Sequence, residues 1–235
     1  MPGVAACAIR APGYFSVKTW LWCGALFFAR AACGAEADVE VFKHPAAGHV
    51  LLETVLSEPS KNLVHSQVLQ GRFAHRKFLS EIQKPLTASG EFTFARELGV
   101  YWHTQQPFDS VFILTPRGLV QRDEGAETLR LSADDQPAVR VIANIFLALF
   151  TLDLTTLDVA FELFGVKQGE RWTIGLKPKS GAVASVFSQA TVSGAAEVEQ
   201  IVLTDKHGDR TVIDLQAVVP TSAPASAAVR ALFKR

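Results

Sequence analysis

The chain has 235 residues, 49% of them hydrophobic, and its 23 basic residues balance 23 acidic ones. A formal charge of zero, with no basic stripe, excludes the electrostatic signature of a nucleic-acid-binding protein, so we expect no nucleic-acid partner. The length allows one large domain or two small ones, and the apolar content allows a substantial core.

The first 37 residues have the order of a signal peptide. Lys18 precedes an uncharged apolar run at residues 19–29, and small residues follow up to an A-x-A site at residues 35–37. The run is shorter than the roughly 20 apolar residues that a membrane-spanning helix needs. Met1 is the only methionine, and a signal opening at Val17 would be more regular, so we expect Val17 to be the true start. The pattern predicts an exported, processed protein.

All three cysteines, at positions 7, 23 and 33, precede the predicted cleavage site. The mature chain would then have no cysteine for a disulfide, for thiol chemistry or for a metal site. Lipidation of Cys33 would need an apolar residue three positions earlier, where Arg30 stands.

The mature chain opens with a helix and continues into short strands. Apolar spacing predicts an amphipathic helix over residues 46–56, ended by Glu58-Pro59-Ser60. Residues 72–80 are predicted as a strand. Between Gly90 and Pro116 apolar residues alternate in three short segments, and such short connections require antiparallel pairing. We predict that the faces of these strands carry Phe92, Phe94 and Arg96, then Val100 and Trp102, then Phe112 and Leu114.

Two more short strands, at residues 119–122 and 128–131, continue this meander, and an apolar helix then interrupts it. Pro137 and the acids before it are typical of a helix start, and the helix is predicted over residues 139–154. A helix that is apolar nearly all round is buried on both sides, as in a plain core helix, or covers an apolar cavity. The predicted cavity-facing residues of this helix are Ile142, Ile145, Phe146 and Leu149.

Alternating strands resume after the helix. The first two, at 157–163 and 172–176, are joined by a hairpin turn at residues 167–170. A helical turn at 182–187 and strands at 189–193, 197–204 and 210–217 follow, which gives about eleven antiparallel strands. The fold class is therefore α+β, mainly antiparallel β. Residues 218–235 are rich in Pro, Ala and Ser and are predicted to form a flexible tail after a domain at 38–217.

Catalytic and metal-binding patterns are missing from the sequence. The six histidines are scattered without metal-ligand spacing, and there is no nucleophile elbow, P-loop or dinucleotide fingerprint. Asp134-Asp135 is interpreted as a solvated helix cap, and His103 as a surface residue. We expect no enzyme activity, no cofactor and no metal.

Residues 90–107 resemble the periplasmic outer-membrane lipoprotein carrier family, which is LolA-like. In this family, a strand that begins with glycine leads to an arginine and a turn, and a tryptophan-containing strand that ends in proline follows. Gly90, Arg96, Trp102 and Pro107 match this pattern without a gap. The resemblance extends over residues 46–217. It implies an unclosed half-barrel of antiparallel strands, capped by helices around an apolar cavity. It also implies that Arg96 holds the helical lid closed through hydrogen bonds.

The resemblance implies a soluble, monomeric periplasmic carrier that shields acyl chains between an inner-membrane donor and an outer-membrane acceptor. Glu97 stands where the family has proline, Val100 where it has phenylalanine, and Phe73-Ala74-His75 where it has F-x-Q. These departures place the chain on a divergent branch, whose cargo is a lipoprotein or a glycolipid or other acylated product. Two alternatives are a lipid-sensing regulatory module of the same fold and a secreted β-domain with an ordinary filled core.

Overall fold

Eleven antiparallel strands form a single sheet in the computed structural model, which describes residues 40–56, 63, 65–179, 184 and 187–234. The strands are β1 (Val68–Phe78), β2 (Leu86–Ala95), β3 (Gly99–Gln106), β4 (Ser110–Thr115), β5 (Gly118–Asp123), β6 (Ala126–Ser132), β7 (Phe161–Gln168), β8 (Arg171–Pro178), β9 (Gln189–Gly194), β10 (Val198–Thr204) and β11 (Arg210–Thr221). Their order across the sheet is β6-β5-β4-β3-β2-β1-β11-β10-β9-β8-β7. The sheet is an unclosed half-barrel, which confirms the predicted fold class.

Two meanders meet at the centre of this sheet. Within each meander, neighbouring strands in the chain are neighbours in the sheet, whereas β1 pairs with β11 from the far end of the sequence. Phe73 lies opposite Leu215 in that pairing and opposite Gly90 in the pairing of β1 with β2. The central pair therefore joins the two halves into one hydrophobic core.

Helices cover the face of the sheet that carries Phe73, Phe92 and Phe94, which we call the inner face. The described helices are α1 (Gly48–Thr54), α2 (Pro137–Thr151), α3 (Leu154–Ala160) and α4 (Ala227–Leu232), with a 3₁₀ turn at Val41–Lys43. The first three share one buried cluster with the inner face, and α2 lies over β3 and β5. The helix predicted at 46–56 is confirmed as α1.

The edge strand β7 is covered by the segment before α1. Pro45 bridges Phe164, the Ala46 N–H donates to the Leu163 carbonyl at 3.0 Å, and the Gly165 N–H donates to the His44 carbonyl at 3.0 Å. A covered edge cannot pair with another chain, which removes a route to aggregation.

Two predictions about chain segments are wrong. Residues 154–160 form helix α3 where a strand was predicted over 157–163, because Asp153 caps a helix by accepting from the Thr156 N–H at 3.1 Å. The segment predicted as a flexible tail is ordered, since β11 extends to Thr221 and α4 follows. Val229 of α4 is buried against Val68 and Ala95 on the outer face of the sheet.

Other predictions fall outside the described residues. These include the signal peptide at 1–37, the helix stop at 58–60 and, except for residues 184 and 187, the helical turn at 182–187. Within the described residues, no helix is long and apolar enough to cross a membrane.

Candidate functional site

Two rows of apolar side chains cross the inner face from strand to strand. In the first row Phe94 lies opposite Val100, which lies opposite Leu114. In the second row Phe92 lies opposite Trp102, which lies opposite Phe112. The alternation in the sequence therefore predicted the correct face for all six residues.

Most of the predicted cargo-binding residues lie in the core beneath the helices. The buried ones are Phe92, Phe94, Val100, Leu114, Ile145 and Leu149. Trp102 and Phe112 are half-buried and pack against this cluster. The side chain of Ile142 lies outside the described residues.

Phe146 is more accessible than its position on the helix suggests. At 3.6 residues per turn it lies roughly 60° from Leu149 and roughly 40° from Phe150 around the α2 axis, and both of these neighbours are buried. Phe146 is nevertheless 36% exposed. Phe146 is therefore a large apolar side chain that lies between two buried neighbours and is still open to solvent. We infer that it lies at the margin between the helix and the inner face.

An aromatic cluster links α2 to the sheet. The ring of Phe150 lies 5.6 Å from that of Phe92 and 5.7 Å from that of Phe94, measured between centroids. Phe73 stacks on Trp102 with centroids 3.9 Å apart. Phe73 and Phe150 were not predicted as site residues, although they belong to two segments that the sequence had singled out. These are Phe73-Ala74-His75 and the apolar helix.

Gly90 allows the strands beneath this cluster to approach closely. A side chain there would put Cβ 1.9 Å from the backbone oxygen of His103 on β3, a distance that no substitution can accommodate without backbone movement. The glycine at this position of the family pattern is therefore required in this chain on steric grounds.

Arg96 lies at the end of β2 and not within it. The strand ends at Ala95, so Arg96 begins the turn to Gly99 and does not continue the face of Phe92 and Phe94 as predicted. Its Nε donates to the Ser66 carbonyl at 3.2 Å, and its backbone N–H donates to the Gln67 carbonyl at 2.9 Å. These contacts tie the β2–β3 turn to the segment that enters β1.

The opposite end of the strands carries polar groups. Asp123 accepts from the hydroxyls of Ser110 and Thr128 at 2.6 and 2.7 Å, and from the amide of Gln121 at 3.0 Å. Partial burial raises the pKa of Asp123, but the hydrogen bonds from these three side chains outweigh it and hold that pKa below its ordinary value. Asp123 is therefore a fixed anion at the rim.

His75 lies at the same end, on β1. It follows Phe73 by two residues without a register shift, so it lies on the inner face. Burial, with a smaller contribution from the charge of Lys77, lowers the pKa of His75 below its ordinary value. Its Nε2 is buried and has no hydrogen-bond partner in the described part of the chain.

The predicted surface residue His103 is half-buried on the outer face, and its Nε2 lies 2.6 Å from an Asp109 carboxylate oxygen. In the described part of the chain, no group of three or more His, Cys, Asp or Glu side chains is placed to hold a metal ion.

Comparison with known proteins gives one family and several distant structures. The family model of the outer membrane lipoprotein carrier protein LolA matches residues 64–231. A LolA superfamily protein from Nitrosomonas europaea is similar at 10% identity and a TM-score of 0.43, over 77% of this chain and 98% of that one. An outer membrane lipoprotein-sorting protein domain from Vibrio parahaemolyticus gives 7% identity and a TM-score of 0.37, over 78% and 99% of the two chains. A search of curated proteins gives no match.

Proposed function

The chain belongs to the outer membrane lipoprotein carrier protein LolA family, and from this premise we propose that it is a periplasmic carrier that shields acyl chains against its inner face. The observation that carries the proposal is the arrangement of α2 over two rows of apolar and aromatic side chains. Movement of one helix would expose this surface to a cargo.

The inner face offers enough apolar surface for useful affinity. Each methylene group transferred from water contributes about 0.8 kcal/mol, so even part of one acyl chain gives measurable binding. The displaced contacts are mainly those of Phe150 with Phe92 and Phe94, whose loss offsets part of this gain. Such a balance suits a carrier that must both load and unload.

Phe146 marks where a cargo would enter. Its partial exposure on the inward side of α2 supports an opening between this helix and the sheet. A cargo chain that passes Phe146 would next meet Leu149 and then the aromatic cluster.

The carrier would act alone in solution and exchange cargo with membrane partners. The signal-like residues 1–37 favour export, and the family description, an outer membrane lipoprotein carrier, supports delivery of the cargo to the outer membrane. An inner-membrane donor would supply the cargo. The cargo is a lipoprotein or another acyl lipid, such as a glycolipid.

A fluorescent fatty-acid probe tests the proposal. We expect the mature chain to bind it, and Phe146→Asp to abolish binding without lowering the melting temperature, because Phe146 is already partly exposed. Val159→Asp is the matched control, since Val159 is 81% exposed on the neighbouring helix α3. If no apolar probe binds, the secreted β-domain with a filled core becomes the better description.

A further inference from the structure

We propose that His75 and Lys77 form a binding site for the anionic head group of an acyl cargo, at the end of the inner face that lies away from Arg96. This inference rests on the proposed carrier function and names the class of cargo: an acyl compound whose head is a phosphate or a carboxylate.

The first observation is the imidazole of His75. His75 lies on the same face of the sheet as Phe73, and its buried Nε2 has no hydrogen-bond partner among the residues that the structure describes. A buried polar atom without a partner is unfavourable, so a group that supplies its missing hydrogen bond would bind there with a gain. The lowered pKa of His75 keeps the ring neutral near pH 7, and a neutral ring can donate from Nε2 to an oxygen.

The second observation is the ammonium group of Lys77. It lies two residues further along the same strand face and is close enough to His75 to affect its pKa. Among the described residues, Lys77 makes no ion pair. An ammonium group without a carboxylate partner among the described residues, beside an imidazole that can donate, favours an anionic head group with several oxygens.

The neighbours of these two residues are uncharged. Across the strands on either side, His75 faces Ala88 and Ile213, and Lys77 faces Leu86 and Thr211. The nearby turn contains Asp209, whose carboxylate accepts from the Ser80 N–H and hydroxyl at 3.0 and 3.3 Å. The cross-strand neighbours of Lys77 therefore bring no carboxylate to its ammonium group.

Asp123 does not cancel this charge. It lies on β5, four strands from β1, which corresponds to roughly 19 Å along the sheet at about 4.8 Å per strand. Its carboxylate is also occupied by Ser110, Gln121 and Thr128.

The distance from His75 to the position facing Phe92 fits an acyl chain. His75 lies four residues along β1 from Gly71, which faces Phe92, so the separation is roughly 14 Å at about 3.4 Å per residue. One leaflet of a bilayer, half of a hydrocarbon core of about 30 Å, is about 15 Å thick. A head group at His75 and Lys77 would therefore place its acyl chain along the inner face, toward the row of Phe92 and then the row of Phe94.

Three ligands with the same C16 chain test the inference: hexadecanol, palmitate and hexadecyl phosphate. We expect the two anionic ligands to bind about tenfold more tightly than the alcohol at low salt, the gain of one charge-assisted hydrogen bond. His75→Leu and Lys77→Met should each reduce that preference. Lys84→Met, an exposed change in the β1–β2 turn, is the control.

A second readout does not depend on substitutions. The ¹⁵N resonance of the His75 Nε2 should shift further on addition of palmitate or hexadecyl phosphate than on addition of hexadecanol. A difference between the two anions would tell a carboxylate head from a phosphate head. Equal affinity for all three ligands would refute the head-group site and leave the carrier function standing, whereas no binding of any of them would refute both.

Discussion

Phe94 on β2 and Phe150 on α2 stack with ring centroids 5.7 Å apart and ring planes 14° apart, and both side chains are almost inaccessible to solvent. This contact joins the floor of the inner face to the helix that covers it. In the proposed carrier, a cargo that reaches Phe94 would have to separate the two rings, so this contact would contribute to the free-energy cost of moving α2 away from the sheet.

Replacing Phe150 by alanine should destabilise the fold and favour opening. A buried phenylalanine truncated to alanine costs about 3–5 kcal/mol, because apolar contacts are lost and a cavity remains. Denaturant unfolding would measure the loss, and amide hydrogen exchange in α2 should become faster. Phe146→Ala on the same helix is the control and should cost about 1 kcal/mol or less, since Phe146 is partly exposed. Equal effects of the two substitutions would show that Phe150 has no special part in closing the helix onto the sheet.

Arg96→Leu should speed cargo exchange while the protein stays folded. The change removes the hydrogen bond from Nε to the Ser66 carbonyl, and a bond from a charged group contributes roughly 1.5–3 kcal/mol. We expect the dissociation rate of a bound fluorescent acyl probe to rise by about tenfold. Arg72→Leu, an exposed arginine on β1, provides the comparison. Wild-type loading and unloading rates in Arg96→Leu would mean that Arg96 only fixes the turn after β2.

Stability should fall below neutral pH because of His75. Burial lowers the pKa of His75 in the folded protein below the ordinary value of 6.5, so the unfolded chain takes up a proton first as the pH falls. The free energy of unfolding therefore decreases between the ordinary pKa and the lower folded pKa, and the full contribution is present only above 6.5.

Melting temperatures measured from about pH 7.5 to 5 would show this dependence, and His75→Gln should make the curve flatter in that window. Asp123, whose pKa is also lowered, acts in a separate window: its contribution is present above its ordinary pKa of 3.8 and is lost at lower pH. Identical slopes for wild type and His75→Gln would contradict the assignment.

The helix α4 should contribute to stability although it lies at the chain terminus. Val229 packs against Val68 and Ala95. The rings of Phe233 and Tyr101 meet edge to face, with their centroids 6.4 Å apart. Val229→Asp would bury a charge and should release the helix, with a loss of about 2–3 kcal/mol. Ala228→Asp, one position away and exposed, should change the free energy of unfolding by no more than about 0.5 kcal/mol. Limited proteolysis near residue 222 would report the release.

The amino-acid sequence by itself determined most of the strands and the faces of β2, β3 and β4. The period of two at Phe92, Phe94, Val100 and Trp102 is a local property, because successive side chains of a strand point to opposite faces. Short turns between these strands left antiparallel pairing as the only choice. The apolar run of α2 likewise predicted a helix buried on more than one side.

Only the tertiary structure decided which surfaces meet. The pairing of β1 with β11, the stacking of Phe150 on Phe94 and the burial of Val229 join residues far apart in sequence, and no local pattern encodes such contacts. Residues 157–163 alternate like a strand, yet a cap at Asp153 and packing against α1 make residues 154–160 helical. The unpartnered Nε2 of His75 also became visible only in three dimensions, because the burial of an atom depends on every element packed around it.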